Sequence, residues 1–212
     1  MIINKKSKFN NMKVTSETKQ TIVDINQHFL FNTLNSILSL CRGNPEEARK
    51  VVLELSSYLR FNFNVEDEII FLHEEIEYIK SYLYIEKVRF GDRLNIKYDI
   101  QEDVNFLIPR NSIYNLIDNA INHGILKKSH GGTINFIVKR DRDEIIIKIK
   151  DDGVGMKEKQ ISQALIYEKG GSLSTTNVQY KNLYNAKLKV VSKCQVETCI
   201  TLYIPINNIK YE

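Results

Sequence analysis

The chain has 212 residues, 42% of them hydrophobic, and 30 basic against 26 acidic side chains leave a net charge of +4. That length suits one domain or two small ones with enough apolar area for a packed core. Charge this balanced, with no basic stripe interleaved with aromatics, argues against nucleic-acid binding, and no apolar run approaches the roughly 18 residues that span a bilayer.

Residues 1–14 are polar and lysine-rich, without the apolar core of a signal peptide. The three cysteines, Cys41, Cys194 and Cys199, give neither a metal spacing nor an even disulfide set, which points to reducing cytosol. From about Thr15 to Cys41 the pattern predicts one long helix. At about 100° per residue, Val23, Leu30, Leu34, Ile37 and Cys41 fall on one apolar stripe. His28 sits roughly 150° from the centre of that stripe. Its polar neighbours are Thr21, Asp24, Asn32, Asn35 and Ser39. An imidazole displayed to solvent, with a carboxylate and an amide one turn away, has the setting of a reactive group.

Gly43 suits a left-handed C-terminal cap. Asn44-Pro45-Glu46-Glu47 then opens a second helix: asparagine caps, proline fits the first position, and the glutamates face the positive dipole end. Val52, Leu55 and Leu59 carry its apolar face to about Phe61. Two helices cannot enclose a core, and a symmetric dimer forming a four-helix bundle would supply the missing partner. Residues 15–64 are therefore expected to form a dimerisation hairpin.

A polar hinge covers 62–70, and a third helix follows from about His73 to Arg89, with Ile76, Ile79, Tyr82, Leu83 and Glu86 at helical spacing. Gly91-Asp92 ends it. Leu94 to Ile100 alternates like a strand. Pro109 is expected to open a fourth helix ending at Gly124. Thr133–Lys139 and Glu144–Lys150 form a β-hairpin about the charged turn 140–143. Residues 156–176 lack periodicity; a short helix follows Asn177, then strands at Leu188–Ser192 and Val196–Ile204. Residues 70–207 thus predict an α+β sandwich, three helices over one sheet.

Two constellations carry chemistry. The fourth helix opposes a buried face (Ile113, Leu116, Ile117, Ala120, Ile121) to Asn115, Asp118, Asn119 and Asn122. Oxygen ligands on one face suit a hard cation that keeps several waters, although a solvated helix face explains most such stripes. Asp151-Asp152-Gly153-Val154-Gly155 follows a strong strand. A carboxylate there can accept a hydrogen bond from an exocyclic amine, and glycines let the backbone approach a flat ring.

In this order the motifs resemble the LytS-like sensor histidine kinases, whose catalytic half is a GHKL (Bergerat) ATP-binding domain. Gln27-His28-Phe29-Leu30-Phe31-Asn32 is similar to the family's histidine motif. Tyr82 to Leu94 resembles its linker, Asn115 to Gly124 its N-box, and Asp151 to Met156 its first glycine box. The resemblance implies a dimeric histidine kinase core using ATP and Mg²⁺, with a response-regulator receiver domain as partner. It places the chain in the cytoplasm, free or as the cytoplasmic portion of a membrane sensor. His28 would be the phosphoacceptor. Asp24 would hold its tautomer and Asn32 would orient a water. Asn119 would ligate Mg²⁺, with Asn115 and Asp118 beside it and His123 near the phosphates. Asp151 would read the adenine amine, and Gly153 and Gly155 would admit the base. This requires a water-facing His28 and one cavity shared by Asn115 and Asp151.

The chain departs from the family pattern at four places. Gln27 stands for a proline, and Asp152 for an asparagine. Glu197-Thr198 stands for Gly-Thr. Gly170-Gly171-Ser172-Leu173-Ser174 stands for the second glycine box, with two glycines turned to serine. Losing positive-φ freedom there predicts weaker triphosphate binding and gives Ser172 and Ser174 no carried-over role. Two alternatives follow: a phosphotransfer protein with a degenerate ATP site, and a non-catalytic ATP-sensing dimerisation module.

Overall fold

The computed structural model describes residues 27–63, 67–166 and 171–209. Helices α1 (Gln27–Gly43) and α2 (Pro45–Phe63) form the hairpin. Asn44 caps α2 as its sequence requires, its Oδ1 accepting the Glu47 N–H at 3.2 Å. Gly43 departs from expectation, because it is not left-handed. The Asn44 N–H still reaches the Leu40 carbonyl at 2.8 Å and the Ala48 N–H reaches that of Asn44 at 3.0 Å. Helical bonding is thus carried through the turn. The expected start near Thr15, with Val23 and Asp24, lies outside the described residues.

The buried face of the hairpin is shifted from the predicted stripes. Phe29 and Thr33 are buried on α1, and Ala48, Val51, Leu55 and Tyr58 on α2. Leu34 and Val52 remain 43% and 48% exposed. The cause is a partner that helical periodicity cannot reveal: α3 (Leu72–Phe90) packs on the hairpin through aromatic rings. The Phe29 ring lies 4.7 Å from Tyr58 and 5.5 Å from Tyr82. Tyr58 and Phe61 stack on Tyr78 at 5.1 and 4.1 Å. Such pairs contribute about 0.5–1.5 kcal/mol each beyond the area they bury. Held between hairpin and sheet, α3 buries residues on most of its sides, the five expected positions among them. It ends at Gly91, whose φ is +55°.

Strand β1 (Ile69–Phe71) precedes α3 and pairs antiparallel with β3 (Leu107–Pro109). Both are too short for alternation to reveal. Pro109 therefore belongs to a strand, and α4 (Ser112–Asn119) starts after it; an Ala120–Gly124 π-turn extends that helix. The main sheet contains β2 (Leu94–Ile100), β4 (Gly132–Asp141), β5 (Glu144–Asp151), β6 (Lys187–Lys193) and β7 (Glu197–Pro205). Its order is β2-β4-β5-β7-β6, with β2 and β4 parallel and the other pairs antiparallel. Ile134, Phe136 and Val138 of β4 and Ile145, Ile147 and Ile149 of β5 turn to the core. Two helices complete the lobe, α5 (Glu158–Ala164) and α6 (Ser172–Tyr184). Sequence periodicity missed α5 and started α6 too late. The buried face of α6 mixes Leu173 with Ser174, Thr176, Tyr180 and Tyr184, so its apolar signal is faint. The architecture is α+β, a helical hairpin followed by a lobe of one mixed sheet and the helices packed on it. No helix among the described residues is long and apolar enough to cross a membrane.

Candidate active site

Helix α4 carries the first half of the site, and its own sequence does not cap it. Asn111 is left-handed at φ 60° and offers no side-chain cap. Glu75 of α3 takes over: its Oε1 accepts the N–H groups of Ile113 at 2.7 Å and Tyr114 at 2.9 Å. Glu75 is 0% exposed, and burial pushes its carboxyl up to about 7 against the pull of those N–H groups. On the polar face of α4, Asp118 turns to α3. It accepts hydrogen bonds from the Tyr82 hydroxyl at 2.6 Å and from the Asn122 amide at 2.8 Å. Neighbouring Glu86 is buried beside Arg89 at 2.9 Å, and burial raises it to about 7.

Asn119 turns the other way. Its Nδ2 donates to the Asn115 carbonyl at 2.7 Å and to the Ser172 hydroxyl. Beyond it, the π-turn brings Gly124 against the end of β5. A side chain is excluded there, because a Cβ at Gly124 would lie 2.6 Å from Asp151 Oδ1. One at Gly153 would collide with the Gly124 carbonyl carbon. Two backbones thus close around one carboxylate. The Gly153 N–H donates to Asp151 Oδ1 at 2.9 Å. Asp151 is 3% exposed; burial is the main cause lifting its carboxyl to about 6, which leaves it largely ionised at pH 7.

Asn119, His123, Gly124, Asp151 and Gly155 line one cavity of about 300 Å³. Leu116, Ala120, Met156 and Ile200 give it apolar walls, and Gly171, Ser172 and Thr198 also line it. That volume and lining suit a flat heterocycle with one polar anchor. A larger groove of about 840 Å³ between α2, α3 and β2 is lined by Glu54, Glu77, Lys80, Lys87 and Tyr98, with no glycine approach and no buried acid.

The site differs from expectation in several placements. Asn115 is exposed and does not line the cavity; it contributes its main-chain oxygen. Asn119 shares the cavity with Asp151 in its stead. Asp118 is likewise turned away. Gly153 packs on Gly124 instead of lining the cavity, while Gly155, at φ +64°, does line it. Asp152 points to β4, its Oδ1 accepting the Thr133 N–H at 2.6 Å, so its extra charge stays outside. Glu197 pairs with Lys150 at 2.9 Å on the outer surface. Sequence reasoning gave Gly124 and Ser172 no role in the site; Gly124 closes the Asn115–Gly124 motif and could have been found.

The second half of the site is on α1. His28 is exposed and does not line the cavity. The Asn32 amide nitrogen lies 3.1 Å from its Nδ1 and 3.3 Å from its Nε2. Among the described residues, no three His, Cys, Asp or Glu side chains cluster as a metal site. Asn119 nevertheless fits Mg²⁺. Both its amide hydrogens are engaged, and its Oδ1 accepts no hydrogen bond among the described residues. One neutral oxygen suffices for an ion that takes its other ligands from phosphates and water.

Residues 16–94 match the histidine kinase family model. Residues 107–208 match that of the histidine kinase-, DNA gyrase B-, and HSP90-like ATPases. The chain is 40% identical over 185 residues to the sensor histidine kinase YpdA of Escherichia coli (strain K12), covering 85% of this chain and 33% of that protein. It is 30% identical over 204 residues to the sensor protein LytS of Staphylococcus haemolyticus, covering 92% of this chain and 35% of that protein. It thus spans about a third of the length of these two curated relatives. The catalytic domain of histidine kinase ThkA shares its fold at a TM-score of 0.51 and 17% identity, covering 66% of this chain and 96% of that one. The chain belongs to the LytS-like sensor histidine kinase family, with a GHKL-type ATP-binding domain.

Proposed function

We propose that this chain is an ATP-dependent protein-histidine kinase core that phosphorylates His28 and passes the phosphoryl group to a response-regulator aspartate. The observation that carries this reading is the cavity uniting Asn119 and His123 with the buried carboxylate of Asp151. Asp151 accepts a hydrogen bond from the adenine amine. Gly155 lets the ring lie against the backbone, and the apolar walls exclude water. His123 faces the phosphates. Asn119, through its Oδ1, would hold Mg²⁺, which supplies charge neutralisation at the phosphate oxygens.

In the transfer, the lone pair of one neutral His28 ring nitrogen forms the N–P bond. The bond from the γ-phosphorus to its bridging oxygen breaks, and ADP leaves with that electron pair. Asn32 donates to the ring nitrogen that lacks a hydrogen and must turn aside as the phosphoryl group arrives. It is then placed to orient a hydrolytic water. Asp24, one turn earlier in sequence, would accept the remaining ring N–H and hold the tautomer. Leu34 and Leu38 of α1, 43% and 69% exposed, and Val52 of α2 form an uncovered apolar face. That face supports a homodimer with a four-helix stem.

The test is incubation with Mg²⁺ and γ-labelled ATP. The expected result is acid-labile, base-stable label that vanishes in His28→Gln and falls at least tenfold in Asn119→Asp. The helical serines at 172 and 174 favour a second reading, a phosphotransfer protein. It would predict no label from ATP and full label from a phosphorylated receiver domain. If the chain binds nucleotide and neither donor labels His28, a non-catalytic ATP-sensing module is selected.

A further inference from the structure

The Ser172 hydroxyl sits where the family pattern would place a glycine, and the structure gives it two specific contacts. It touches the Asn119 amide and it lines the cavity. We infer that Ser172 is a positioning residue for Asn119, fixing the amide so that its oxygen faces the metal–phosphate end of the cavity; this rests on the nucleotide reading above.

An asparagine side chain has two rotatable bonds and two chemically unlike ends. A metal ligand on it works only when the oxygen faces the cation. The Asn115 carbonyl accepts one amide hydrogen and sets which end is which. One bond alone leaves the planar amide free to swing about that contact. The second bond, to Ser172, removes that freedom. Ser172 itself is held, because it is the first residue of α6 and Leu173 and Ser174 behind it are buried. The Ser174 hydroxyl returns to the Gly171 carbonyl at 2.8 Å and secures that first turn. The loss of glycine thus exchanges a flexible backbone cradle for a side-chain clamp.

The test uses the whole chain, with AMP-PNP as the probe, titrated in Mg²⁺ and in EDTA. Wild type, Ser172→Ala, Ser172→Gly and Ser172→Thr are compared. The expected result is that Ser172→Ala and Ser172→Gly raise the Mg²⁺ concentration at half-saturation about five- to tenfold. Their AMP-PNP affinity in EDTA should change less than twofold, and Ser172→Thr should stay near wild type. In the nucleotide-free protein, the Asn119 side-chain N–H resonance that Ser172 engages should shift upfield in Ser172→Ala while the one on the Asn115 carbonyl stays in place. An unchanged Mg²⁺ dependence in Ser172→Ala, or an equal loss of affinity with and without Mg²⁺, overturns the proposal and leaves the nucleotide site intact. Restoration in Ser172→Gly, by a recovered glycine loop, also overturns it. Wild type that binds no AMP-PNP in either condition overturns the nucleotide reading and the proposal together.

Discussion

The two ends of the cavity are built by opposite rules. Around Asp151, Gly124, Gly153 and Gly155 hold backbone so close to its carboxylate, to one another and to the Lys193 carbonyl that any side chain collides. At the other end, a methyl group added to Gly171 would meet no atom closer than 3.8 Å, and serines occupy ordinary helical backbone. The Asp151 end is fixed by exclusion and the Ser172 end by hydrogen bonds. Sequence change is therefore tolerated at one end and not at the other.

The sharpest way to break this contrast is Gly153→Ala. Its methyl would collide with the Gly124 carbonyl carbon, and overpacking of this kind costs about 3 kcal/mol. The expected outcome is a lower Tm in calorimetry and no measurable AMP-PNP binding; a wild-type profile would show that the two backbones separate easily.

Asp151→Asn comes next, with roughly tenfold weaker binding, about the worth of one hydrogen bond to a charged group. Binding to wild type should also weaken as pH falls through about 6, where Asp151 gains its proton and becomes a weaker acceptor. Asp151→Asn should lack that step, and it cancels the titration of the nucleotide itself. Identical pH profiles for the two proteins would remove Asp151 from the base pocket.

Glu75 sharpens the comparison from outside the cavity, since it holds the helix that carries Asn119. Its folded value is raised, to about 7, above the unfolded value near 4.3. The stability it contributes is therefore complete below about pH 4 and lost as pH rises through about 7. Glu75→Gln keeps an acceptor for the two N–H groups without the buried charge. It should raise Tm at pH 8 by roughly 5 °C and much less at pH 5. Glu75→Ala should lower it at both.

The smallest effect is expected for Gly171→Ala. Its added methyl would meet only the Ala164 carbonyl at 3.8 Å and Ser174 Oγ at 3.9 Å, so stability should change by less than about 0.5 kcal/mol. A large loss would mean that the Ser172 end is as tightly determined as the Asp151 end.

Much of this is legible in the sequence. Strand Leu94–Ile100 has the predicted bounds, the hairpin about 140–143 is in place, and the Asn44 cap forms as its residue type demands. Where legibility fails, the cause is tertiary. Periodicity places Leu34 and Val52 inward, but the rings of α3 select Phe29 and Val51. Proline at 109 suits a helix start, yet the pairing of a three-residue strand claims it. Of the residues the motif pattern singles out, Asn119, His123, Asp151 and Gly155 line one cavity. The pattern cannot say that Asn115 and Asp118 face elsewhere, because the outward face of a helix does not reveal which neighbour it meets. Nor can it foresee that a serine bonds the key amide.

Phe29 follows the exposed histidine directly and is 4% exposed, its ring seated between Tyr58 and Tyr82. The imidazole is thus tethered one residue from an anchor whose withdrawal would open a void worth about 3–5 kcal/mol. A threshold of that size disfavours small drifts of the histidine helix and leaves two discrete seatings as the natural alternatives. Any displacement of the His28 imidazole relative to α3 must first unseat a phenyl ring.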